Sequence, residues 1–95
     1  MGYQIVREMG YTHDDFFRLL PSAIGEHKYV VTNTSVSCEI GAGKLEIKLG
    51  TEGSRKLGLV IIPKTEIVFD FENVSDTERM EFLHYFDLRF MKGLG

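Results

Sequence analysis

The residue types that carry most protein chemistry are thin in this chain and poorly grouped. His13, His27, His84 and the lone cysteine, Cys38, are scattered, and no two of them stand two to four residues apart. Metal sites favour that spacing because one turn or helix face then presents two ligands to one ion. No metal site is therefore expected. His13 adjoins Asp14 and Asp15, but these residues read better as a helix start. Cys38 alternates with Val36 and Ile40, as a small core residue does, and lacks the electropositive setting of an activated thiol. Asp70 and Glu72 share the outward side of a strand and form a solvated edge, with no cleft to turn them into an acid–base pair. No catalytic residue is assigned, no cofactor is expected, and the chain leans away from enzyme function.

One stretch offers a ligand chemistry. Gly50 to Lys56 reads GTEGSRK and lies in a basic region: residues 44–64 hold five lysines and arginines against two glutamates, a net charge of +3. Read as a glycine-rich loop, it would let backbone N–H groups converge on an anion. Gly53, Ser54, Arg55 and Lys56 are then the candidate site for a phosphate or carboxylate, such as a small nucleotide. The spacing matches no Walker motif, and an ordinary polar connection between strands explains the same residues. Residues 65–95 carry −4, from seven carboxylates against three cations.

The elements that must position these residues are read from periodicity. Tyr3 to Glu8 reads equally as a short edge strand or a flexible arm. Thr12, with Asp15 three residues on, marks a helix start, and Phe16, Leu19 and Leu20 share its apolar face. Pro21 should end that helix near Leu20, leaving a separate short turn up to Gly25. His27 to Ile40 reads as strand, with a turn or bulge at Asn33–Thr34 and strict alternation from Val36 to Ile40. Gly41–Ala42–Gly43 joins it to Lys44–Leu49, where Leu45, Ile47 and Leu49 face inward. Beyond the polar loop, Leu57 to Phe71 (LGLVIIPKTEIVFDF) is the longest apolar run. As one straight strand it would span roughly 50 Å, so a turn at Pro63–Lys64 is expected to fold it into a hairpin. Leu57–Ile62, apolar on both sides, is then expected to be a covered central strand. Ser75 with Glu78 makes a second capping box, opening a helix that runs to about Lys92, with Gly93 following as its stop.

That last helix has more apolar surface than one core needs. Phe82, Leu83, Phe86 and Phe90 fall on one stripe, which belongs on the sheet. Met80, His84, Leu88 and Met91 fall on another, where the outer side of a two-layer domain should be polar. Two readings stay open. The first helix covers this second stripe, or the stripe is the interface with a second copy or a protein partner. Methionine suits an interface because its flexible thioether adapts to irregular surfaces.

Composition sets the outer limits. Ninety-five residues with 43% apolar and 12% aromatic content make one folded domain. A net charge of −3 disfavours broad attraction to nucleic acid or an anionic membrane. No run approaches the ~18 apolar residues of a membrane span, and Arg7 and Glu8 stand where a signal peptide would be apolar. A single thiol suits a reducing, cytoplasmic compartment. The expectation is an α+β domain over residues 1–95. An N-terminal helix and a long C-terminal helix pack on one side of a four-stranded antiparallel meander, five-stranded if residues 3–8 pair. Its expected role is that of an interaction module, a homodimer ahead of a foreign partner.

Overall fold

A computed structural model describes residues 2–93 and the side chains of residues 2–91. The chain is an α+β domain with two helices on one side of a five-stranded antiparallel sheet. The strands are β1 (Gly2–Met9), β2 (Tyr29–Thr32), β3 (Ser35–Ile40), β4 (Gly43–Leu57) and β5 (Val60–Glu72), and the helices are α1 (His13–Ile24) and α2 (Asp76–Gly93). The sheet order is β1-β5-β4-β3-β2. Strands β2 to β5 therefore form the expected meander, and β1 adds the fifth strand by pairing with β5 from Gly2↔Glu72 to Met9↔Thr65.

Each hairpin of the meander turns through two residues, and the first has positive φ: Asn33 at 53°, Gly41 at 57° and Gly58 at 61°. Positive φ at the first loop position alone is the pattern of a type II′ turn, whose twist matches that of the flanking strands. Asn and Gly are the residues that tolerate it. The Asn33–Thr34 and Gly41–Ala42 turns lie where the sequence put them.

The third turn does not. The chain reverses at Gly58–Leu59, with Leu57 opposite Val60, and Pro63 stands inside β5 opposite Ser54. Proline is tolerated there because β1 stops at Met9↔Thr65. Beyond that point β5 has only one neighbour, and the missing N–H need not break a ladder. The expected polar loop Gly50–Lys56 is likewise strand. A bulge between Leu49 and Glu52 shifts the register, and pairing then continues from Glu52↔Thr65 to the turn. Leu57–Ile62 is accordingly no covered central strand: Leu57, Leu59, Val60 and Ile61 are exposed. The two strands leave the domain as an arm, and the molecule measures 46 × 25 × 23 Å.

Helix α1 also runs past its expected stop. Pro21 lies within it, and Gly25 closes it by donating its N–H to the Pro21 carbonyl at 3.3 Å. A proline here removes one helical hydrogen bond. Complete burial of Leu20, Ala23 and Ile24 keeps the last turn helical all the same. The starts are as the sequence implies. Thr12 accepts from the Asp15 N–H, and Ser75 and Glu78 form the reciprocal box, each side chain accepting from the other's backbone N–H at 3.1 Å.

The core lies between the helices and the inner side of the sheet. Val36, Cys38, Leu45, Ile47, Ile67 and Phe69 supply the sheet side, and Phe16, Leu20, Phe82 and Phe86 the helix side. Phe86 sits at the centre, with ring centroids 4.5 Å from Phe90, 5.3 Å from Phe69 and 5.8 Å from Phe82. Two polar links tie the layers. Thr65 donates its hydroxyl to the Tyr11 carbonyl at 2.8 Å, and Tyr11 donates to the Phe90 carbonyl at 3.1 Å. Burial raises the Tyr11 hydroxyl pKa, with the Asp15 charge adding to it.

Candidate functional site

The α2 surface is built from its inner side outward. Phe82, Phe86 and Phe90 are buried against the sheet and α1, and Leu83 sits at the margin, half-buried. Toward β1, Arg79 stacks over the Tyr3 ring at 3.7 Å. Two turns further on, Arg7 makes two hydrogen bonds to Asp87, at 2.5 and 3.2 Å, while lying over Phe69. Planar guanidinium groups favour this combination of fork and stack. These contacts fix the rotation of α2 about its own axis.

That rotation sends the second stripe outward. Met80 is 66% exposed, Leu88 42% and Met91 68%, and His84 is exposed beside them. Helix α1 lies along a different side of α2: Phe16 meets Phe86 and Phe90, and Tyr11 meets Phe90. Of the two readings left open by the sequence, cover by α1 is thus removed. The four residues stand together on a helix surface that nothing else in the described chain covers.

The Gly53–Lys56 segment is placed differently from the expectation. In an extended strand, successive N–H groups point to opposite sides and do not converge, so the loop on which the anion reading rested is absent. Arg55 is already engaged, donating to Glu8 at 2.6 Å, and Lys64 approaches the same carboxylate at 3.4 Å. Glu8 thereby clamps both strands of the arm to the end of β1. At the bulge, the His13 N–H donates to the Glu52 carboxylate, and the His13 ring lies 2.6 Å from the Gly50 carbonyl.

The remaining chemistry-bearing residues stay apart. Cys38 is buried, and its thiol is pushed up to about 11, by burial first and by the Glu39 charge second. Among the described residues no three His, Cys, Asp or Glu side chains group as a metal site would. No described helix is long and apolar enough to cross a membrane.

Sequence reasoning missed two features. One is the exposed apolar tip of the arm, Leu57 to Ile61, which it read as core. The signal was Gly58, a residue suited to positive φ in the middle of the run. The other is a groove of about 650 Å³ at the opposite end of the domain, with Ile24, Ile40 and Phe82 as its apolar lining and Glu26, Glu78 and Glu81 around them. It joins three segments far apart in sequence, so no local pattern announces it. The chain matches no family model, no curated protein and no solved structure.

Proposed function

We propose that this chain is a non-enzymatic interaction module that pairs with a second copy of itself across the outer side of α2, in a reducing, cytoplasmic setting. The observation that carries the reading is the exposed run of Met80, His84, Leu88 and Met91 on a helix whose opposite side, Phe82, Phe86 and Phe90, is buried. A second copy fits the order of these residues. Methionine stands at each end of the stripe. A two-fold axis between His84 and Leu88 sets Met80 against the partner's Met91, and the pattern is self-complementary, as an isologous contact requires. The compartment is supported by the single buried thiol, which has no partner for an internal disulfide.

Light scattering across a concentration series tests the pairing. The wild-type chain should pass from monomer to dimer as concentration rises. Leu88→Asp and Met80→Asp should raise the dissociation constant about tenfold or more, the equivalent of ~1.4 kcal/mol, with an unchanged circular dichroism spectrum. A wild-type chain that stays monomeric, or variants that dimerise like wild type, sink the reading.

A further inference from the structure

The arm and the groove lie at opposite ends of the molecule and are complementary. Strand β4 runs from Gly43, next to the groove residue Gly41, to Leu57 at the arm tip. Fifteen residues of strand extend roughly 50 Å, in keeping with a longest dimension of 46 Å. Helix α1 gives the same polarity, with its start at the arm base through His13 and Glu52 and its end, Ile24 and Gly25, in the groove. The arm therefore points away from its own groove.

The two surfaces differ in sign and agree in character. The tip exposes Leu59 at 99% and Ile61 at 68%, with Leu57 and Val60 also open. Immediately behind it stand Arg55, Lys56 and Lys64, all exposed, of which Lys56 is free of the Glu8 clamp. The groove is walled by the Tyr85 ring, 40% exposed, and the exposed His27 ring, over Ile24, Ile40 and Phe82, which are themselves buried, and its carboxylates are Glu26, Glu78 and Glu81. A narrow two-stranded tip that is aliphatic in front and basic behind suits a cleft walled by two rings and edged by carboxylates.

We propose that the arm of one copy docks in the groove of another. This shares with the α2 reading only the premise that the partner is a second copy, because a different surface of each protomer is used. The contact is heterologous, tip to groove, so it closes as a ring or a mutual exchange, or else extends as a chain.

Complementary variants test it. Leu59→Asp disables the arm at a fully exposed position, and Glu26→Lys with Glu81→Lys disables the groove at two exposed ones. Both chains also carry Met80→Asp to remove the α2 contact. Each alone should be monomeric by light scattering. Mixed, they should form a one-to-one complex, since one live arm then meets one live groove. No complex on mixing overturns the proposal. So does a wild-type association curve that Leu59→Asp shifts less than threefold, and in that case the α2 reading survives if Met80→Asp shifts the curve. The converse result, loss with Leu59→Asp and none with Met80→Asp, removes the α2 reading and keeps this one. Cosedimentation of the arm with anionic lipid vesicles, with no self-docking, also overturns it.

Discussion

Cys38 shows what burial does to a single reactive group. Its Sγ is sealed under the helices, and its weak donor contact is to the Glu39 carbonyl at 3.7 Å. The thiolate would be desolvated there, so the thiol pKa rises from 9.0 to about 11. The folded state thus holds the proton more tightly than the unfolded chain. The resulting stabilisation is complete below pH 9, where both states are protonated, and is lost as pH rises from 9 to about 11. Urea unfolding of wild type and Cys38→Ala should show this as a difference in slope, with wild type losing up to about 1.4 kcal/mol more per pH unit across that window. Equal slopes would mean that the thiol ionises freely in the folded state. At neutral pH, alkylation of Cys38 should proceed only as fast as the domain opens. The alternation of Val36, Cys38 and Ile40 made this burial legible from the sequence, since period-2 patterning depends only on local backbone geometry.

The arm is where local and tertiary signals diverge. Gly58 turns the chain with φ of 61°, and an added Cβ would meet no atom within 4 Å. A larger residue there is therefore opposed by backbone strain alone, on the order of 1 kcal/mol or more. Gly58→Val should loosen the arm and leave the core untouched. Amide exchange should quicken about tenfold or more across residues 53–63 and stay unchanged across Ile67–Phe71, which are held between β1 and β4. Exchange quickening equally in both segments would show that the arm folds as part of the core. Pro63–Lys64 was an expected turn because proline presets the φ that turns favour. That preference says nothing about where a neighbouring strand ends. β1 stops at Met9, and this leaves room for a proline in β5.

At the scale of the molecule, the arm is an appendage of a domain that is already complete. No residue from Gly53 to Lys64 is buried, and its ion pairs to Glu8 are exposed and contribute little. Replacing Gly53–Lys64 by Asn-Gly should preserve the fold, because Glu52 and Thr65 already face each other in register. The melting temperature should change by less than about 5 °C, and any association that depends on the arm should vanish. A fall of more than about 10 °C would make the arm part of the cooperative unit. The outer side of the sheet needs no cover. It carries Lys44, Glu46, Lys48 and Asp70, with Lys48 within 4.0 Å of both Glu46 and Asp70, so it is wetted directly.

The sequence by itself determined the class of fold, the two capped helix starts, the inward residues from Val36 to Leu49, and the doubled apolar faces of α2. All of these follow from periods of 2 and 3.6 and from end-group hydrogen bonding, which are local physics. Tertiary structure alone decided the rest. It let Pro21 stand within α1 because Ala23 and Ile24 are buried beyond it. It made β1 a strand by offering the free edge of β5. It turned α1 away from Met80, His84, Leu88 and Met91, leaving them bare. It also carried an apolar run out into solvent as an arm, because hydrophobicity shows that a segment gains from contact but not whether the surface it meets belongs to its own chain or to another.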